Sequence, residues 1–215
     1  IIRGALSSLY GTGAMGGIIN IINKDGHFSD HLYLSGNAGA AFATANRMYS
    51  GHADVSTGSD KWYLRLSGTY TDADDMRTPE GTLLNSQYAY NNFGASAGFK
   101  PFNNHVLKIH YQRYMATNAG IPGGEAFPGP SEATYKDIGR SLLSASYEIT
   151  DITDKLSTLR FSYFNQYIDR NVKVKPNTVT ETTLPNGNTQ RTTPDLMTPG
   201  GKHMTNGGQL QATFN

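Results

Sequence analysis

The chain has 215 residues, 37% hydrophobic, 11% aromatic and 16% charged, with a net charge of +1. So even a balance gives no argument for an acidic partner, and dispersed basic residues without aromatic interleaving predict no nucleic-acid groove. The absence of cysteine excludes a disulfide, a thiolate metal site and a cysteine nucleophile, and no run of about 18 apolar residues exists to make a transmembrane helix.

The first stretch, Ile1 to Lys24, reads IIRGALSSLYGTGAMGGIINIINK. It contains GxGxxG at Gly11, Gly13 and Gly16, a pattern that suggests a dinucleotide site when a strand precedes the glycines and a helix follows. Here Gly17-Ile18-Ile19-Asn20-Ile21-Ile22 follows, a β-branched run with no helical period, closed by Asn23-Lys24-Asp25-Gly26. The order is reversed, and the nucleotide reading fails. Tyr10 is expected to anchor a turn, and Asn20, inside an apolar strand, must find hydrogen-bond partners if buried.

The same residues resemble the end of the plug domain of TonB-dependent outer-membrane receptors, whose pattern is RGP-x-S-x-x-YG-x-x-A-x-GG-x-I-N-I-x-T-K. Arg3, Gly4, Tyr10, Gly11, Ala14, Gly16, Gly17 and Asn20 match it; Ala5 and Asn23 depart from it, where proline and threonine are common. The resemblance implies that residues 1–27 end a plug and that 28–215 are the first strands of the barrel. It implies an outer-membrane position in a Gram-negative cell, surrounded by lipid. It also implies coupling to the TonB complex through an N-terminal box that this stretch lacks. The cargo would be a scarce nutrient such as a ferric siderophore, haem or cobalamin. Arg3 falls where the family's plug meets the barrel wall, so an ion pair to a barrel carboxylate is expected. The chain opens inside a motif, which predicts a piece of a longer protein.

After Gly26 the sequence alternates in segments of about ten residues, the length a tilted membrane strand needs. Leu34, Gly36, Ala38, Ala40 and Phe42 oppose Tyr33, Ser35, Asn37 and Gly39; Tyr49, Gly51, Ala53 and Val55 oppose Met48, Ser50, His52 and Asp54. Trp62, Leu64, Leu66, Gly68 and Tyr70 oppose Tyr63, Arg65, Ser67 and Thr69. Further strands are expected around Phe93–Phe99, Leu107–Tyr111, Leu143–Ile149, Leu159–Tyr167 and Leu210–Phe214, with Phe164 and Asn165 breaking the pattern of the seventh. Long loops are expected over Thr71–Ser86, Met115–Gly139 and Lys173–Asn206, alternating with tight turns. The charged residues Arg65, Lys108, Glu148 and Arg160 fall on the polar faces. Aromatics near strand ends (Trp62, Tyr70, Tyr88, Tyr90, Tyr111, Tyr114, Tyr147, Tyr167) read as interface girdles. The fold class is therefore all-β: a fragment of a transmembrane antiparallel up-and-down β-barrel, about 8 of about 22 strands, preceded by the last part of a plug. The competing readings are a passive porin or adhesin-type barrel without coupled transport, and a soluble β-sandwich.

Chemistry-bearing residues are sparse. The six histidines show no metal-ligand spacing, but His52 and His110 would project into a barrel lumen. Asp72, Asp74, Asp75 and Glu80 lack the spacing of a calcium loop and read as a solvated external segment. No serine or threonine sits in a nucleophile motif, so no enzymatic activity, metal or cofactor is expected. Aromatic side chains on external loops are the better ligand contacts, and Tyr114, Phe127 and Tyr135 are the candidates.

Overall fold

The computed structural model describes residues 2–3, 17–18, 24–122, 131–176, 180–192 and 196–215. Every regular element among them is a strand. Eight long strands carry the architecture: β1 (Tyr33–Ala43), β2 (Met48–Gly58), β3 (Trp62–Ala73), β4 (Tyr88–Phe99), β5 (His105–Ile121), β6 (Ser131–Thr150), β7 (Leu156–Pro176) and β8 (Gly200–Phe214). They form one antiparallel sheet in which sequence order is spatial order, a meander without crossovers. Two small hairpins, Met76–Thr78 with Gly81–Leu83 and Thr180–Thr183 with Thr189–Thr192, stand in the connections at one end, called the upper end below. The lower end carries the tight turns at 59–61, 100–104 and 151–155.

The register sorts the side chains as the alternation predicts. Leu66 lies opposite Val55 and Ala95, while Arg65 lies opposite Ser56 and Ser96. The apolar face has no cover among the described residues: elements in contact are only hydrogen-bonded neighbours within a sheet. Leu34 is 78% exposed and Leu210 69%, and Leu64, Leu66, Phe93 and Ile109 are exposed with them. Among the described residues the buried apolar ones are few, namely Tyr63, Ala73, Ala116 and Ala133. A soluble two-layer domain buries such a face against a second sheet or a helix layer. This sheet does not.

What lies on the polar face is the approach segment 24–32. Arg65 Nη1 donates to the Lys24 carbonyl (3.1 Å), Lys24 Nζ lies 3.6 Å from Asp54 Oδ1, and Asp25 Oδ1 lies 3.1 Å from His110 Nδ1. Phe28 meets Tyr63 edge to face and carries Lys100 Nζ over its ring at 4.2 Å. Tyr63 is 2% exposed because Gly26 of the segment and Gly98 of β4 both leave room for its ring. A Cβ on either glycine would overlap that ring.

Three expected loops turn out to be partly strand. β5 continues to Ile121 and β6 begins at Ser131, so most of Met115–Gly139 is ladder; β7 runs to Pro176 and β8 begins at Gly200, shortening Lys173–Asn206 likewise. β3 extends to Ala73 before the small hairpin within 76–83. The apolar alternation stops earlier than the hydrogen-bond ladder, which needs only backbone. Phe164-Asn165 breaks the alternation of β7, as expected, but not its ladder. Phe164 stays on the polar face and fills the space above Gly207, while Asn165 Nδ2 donates to Asn206 Oδ1 (2.6 Å) directly across the ladder.

Of the plug-like stretch, the backbone pairs Ile2 with Ile18 and Arg3 with Gly17 are described. Extended backbone at Gly17–Ile18 agrees with a strand, not a helix, after the glycines. Gly4, Tyr10, Gly11, Ala14, Gly16 and Asn20 lie outside the described residues, as do the side chain of Arg3 and its expected ion pair.

Candidate functional site

The polar face holds a cleft of about 410 Å³ between the approach segment and the upper end. Alternate residues of four strands line it: Arg65 and Ser67 from β3, Asn92 and Ser96 from β4, His110, Gln112 and Tyr114 from β5, and Arg140 from β6, with Lys24 and Asp25 closing the bottom. Period-two geometry forces this convergence, since in-register strands put every second side chain on one surface. Gly94, in the middle of β4, deepens the floor.

Most of the charge there is paired. Arg65 Nη2 donates to Asp54 Oδ1 at 2.7 Å, Asn37 Nδ2 donates to Asp54 Oδ2 at 3.2 Å, and Arg140 Nε donates to Gln166 Oε1 at 2.9 Å. Glu148 and Arg160 form a further pair lower on the same face, at 3.6 Å. Ser96 Oγ is buried with no partner among the described residues.

Above the charges stands a tyrosine row. Tyr90 lies 5.7 Å from Tyr114 and 6.2 Å from Tyr88, centroid to centroid. Tyr88 Oη also donates to Met48 Sδ at 3.6 Å. This corrects the girdle assignment: Tyr88, Tyr90 and Tyr114 share the polar face with Asn92 and Gln112, whereas Trp62, Tyr70 and Tyr111 stay on the apolar one. Strand-end position was the wrong criterion; parity along β4 and β5 was the signal that assigned them inward.

Of the candidates from sequence, His110 and Tyr114 line the cleft. His52 shares the face but sits over Gly39 of β1, three strand spacings from His110, roughly 14 Å across the sheet. The two histidines do not converge. Tyr135 lies near the upper end of β6 at an irregularity between Tyr135 and Asp137, and it is not among the residues lining the cleft. Phe127 lies outside the described residues. Sequence reasoning missed Arg140, Asn92, Tyr88 and Tyr90. In the acidic segment, Asp75 Oδ1 accepts from the Ser86 and Gln87 amides (2.8 and 3.0 Å) and Asp74 faces Arg47 at 3.5 Å. No group of three metal-ligating side chains occurs among the described residues.

No protein-family model and no curated protein sequence matches the chain. Solved structures do match, among them the copper transporter OprC, with a TM-score of 0.77 at 20% identity over the whole of this chain. The chain spans 30% of the length of that structure. The likeness is one of fold: the sheet is part of a β-barrel wall, which makes its polar surface the lumen side and its apolar surface the outside.

Proposed function

We propose that this chain is part of a TonB-dependent transporter that takes up a scarce nutrient across the outer membrane. The observation that carries the reading is the position of residues 24–32. The segment that follows the plug-like motif runs along the lumen side, held by Arg65, Asp54, His110 and Tyr63. A plug attached to it enters the barrel from the lower end. A corked barrel is closed by default, and the outer membrane has no nucleotide triphosphate of its own. Opening therefore draws on work delivered from below through the TonB complex.

The outer surface supports the bilayer part of the reading. Up β7 the outward residues are Leu159, Phe161 and Tyr163, then Asn165, Tyr167, Asp169, Asn171, Lys173 and Lys175. The stretch from Leu159 to Tyr167, apolar on this face but for Asn165, spans about nine residues, what a tilted strand needs to cross the hydrocarbon. The polar remainder stands above it, facing the exterior, so the tyrosine row and Arg140 sit near the outer mouth of the lumen.

That lining favours an organic cargo with flat or anionic parts, such as a ferric siderophore, haem or cobalamin. Copper is the second reading, favoured by the name of the matched transporter. The deciding experiment is uptake of labelled ferric siderophore, haem, cobalamin and copper by cells with and without the gene, each with and without TonB. One cargo that accumulates only when both are present supports the proposal. Uptake indifferent to TonB makes the protein a passive channel.

A further inference from the structure

We infer that the lumen wall of β6–β7 holds a subsite for an apolar arm of the cargo that carries an anionic group. The inference deepens the uptake reading above and rests on it. It starts from the inverted pair on β7. Lower on that strand Leu159 and Phe161 face outward while Arg160 and Ser162 face the lumen; Phe164 and Asn165 exchange these places. Outside, the Asn165 amide is satisfied by Asn206. Inside, the Phe164 ring lies over Gly207, where a Cβ would overlap it, and remains 40% exposed. A ring left in a watery lumen forgoes the free energy that covering its face would give.

Phe164 does not stand alone. Upward from it the lumen-facing rows of β6 and β7 read Ser144–Phe164, Leu142–Gln166, Arg140–Ile168 and Ile138–Arg170. Each row holds one apolar side chain, alternating between the two strands, so a stripe climbs about 20 Å of wall. Leu142, Ile168 and Ile138 are half-buried, and no described element outside the sheet packs on them. The described contact of the approach segment with β5, Asp25 to His110, lies level with the lowest row. The other rows stand above it, toward the mouth.

The charge beside the stripe fixes the occupant. Arg140 Nε is held by Gln166, which leaves the two terminal nitrogens of that guanidinium to a ligand, and Arg170 is exposed. Neither arginine has a carboxylate partner among the described residues. Over the same four rows no lumen-facing position of β4–β8 is an aspartate or glutamate. Such a wall disfavours a cationic arm and suits an anion, which a guanidinium binds through paired N–H donors. A carboxylate accepting from Arg140 and Arg170, with its apolar body on Leu142, Ile168 and Phe164, matches both features. Tyr114 lies directly across from Arg140, so one cargo can span the tyrosine row and the stripe.

The test is saturation-transfer NMR of the full-length protein in lipid nanodiscs, with empty nanodiscs as the blank. The probes are naphthalene-2-carboxylate, its uncharged carboxamide, and acetate. The naphthalene carboxylate is expected to bind roughly tenfold tighter than either of the others. Phe164→Ser and Leu142→Asn weaken the carboxylate and the carboxamide alike, whereas Arg170→Gln weakens only the carboxylate. Equal binding of the three probes overturns the subsite. So does a carboxylate preference that survives all three variants in protein keeping the heat-modifiable gel mobility of a folded barrel. A carboxylate that fails to bind while Leu142→Asn opens the plug to protease assigns the stripe to the plug and overturns it as well. Excess naphthalene carboxylate is expected to slow uptake of the accumulated cargo. TonB-dependent uptake indifferent to that probe and to Phe164→Ser overturns this subsite alone; probe binding with the stated variant pattern, and no TonB-dependent uptake of any cargo, overturns only the transport reading.

Discussion

Gly120 of β5 and Asn85 of the connection between β3 and β4 are in backbone contact: a Cβ at Gly120 would overlap the Asn85 carbonyl. Asn85 takes a positive φ of 60° and spends its whole side-chain amide on the neighbouring hairpin. Nδ2 donates to the Ile121 and Ala133 carbonyls (2.9 and 2.7 Å), and Oδ1 accepts from Thr134 Oγ1 (2.9 Å). The Gly120 amide answers by donating to the Gln87 carbonyl at 2.8 Å. The other end of the same connection is tied to the β1–β2 turn, with Asp74 N donating to Asn46 O and Arg77 N to Ala45 O, both at 2.9 Å. The upper-end segment 74–87 is a clasp across the rim.

Gly120→Val is therefore expected to lift this clasp without unfolding the barrel wall, because the contact lies at the upper rim, above the apolar part of the sheet. Hydrogen exchange should show the Gly120 amide and segment 74–87 exchanging faster, with β3 and β4 below unchanged. Asn85→Ala strands two part-buried carbonyls and costs the clasp about 2 kcal/mol. Unchanged protection in both variants would sink the assignment.

The Arg65–Asp54 pair should be energetically coupled, since each side chain is only 15% exposed and the guanidinium also holds the Lys24 carbonyl. The comparison is the Arg191–Glu181 pair of the 180–192 hairpin, 3.0 Å long but with side chains 72% and 56% exposed. Exposed pairs contribute little. Double-mutant cycles in urea should give a larger coupling for Arg65–Asp54, and Arg65→Ala should also expose the peptide bond after Lys24 to protease. Equal couplings would contradict the described geometry.

Facing matters more than polarity. Leu64→Arg and Ile109→Arg put a cation on the outer surface and should cost about 2–4 kcal/mol if that surface meets the bilayer midplane. Ser67→Arg, on the lumen side of the same sheet, should fold nearly as well as the wild type. The readout is the folded fraction in lipid vesicles at graded urea. Equal tolerance of the three would remove lipid from the account.

Tyr90→Ala and Tyr114→Ala break the tyrosine row beside Arg140. Loss of an aromatic contact of about 1–1.5 kcal/mol predicts cargo binding weakened roughly tenfold, with Tyr114→Phe close to wild type. Binding to whole cells measures it. The external-side mutation Tyr70→Ala, on the apolar face, serves as the control and should leave affinity unchanged.

Much of this fold could be read before any coordinates. Leu64, Arg65 and Leu66 alternate so cleanly that their faces were assigned correctly, and the polar charges Lys108, Glu148 and Arg160 fell on the side predicted. The upper halves of β5, β6 and β7 could not be read, because they carry no alternating apolar face and Thr117, Asn118 and Lys173 look like loop. The candidate site was legible only in pieces. Tyr114 and His110 were singled out, but Tyr90 was assigned to the wrong surface and Arg140 was overlooked.

What the chain determined locally was the strands, their two faces and the order of the meander. Alternation and turn chemistry act over a few residues, and neighbours in sequence pair as neighbours in space. Register across strands was decided only by the fold. It set Arg65, Ser96 and His110 side by side, brought Asp25 back onto β5, and put Arg140 of β6 beside Tyr114. Such contacts join positions dozens of residues apart, and their distances depend on how the ladders align, a quantity no single stretch of sequence contains.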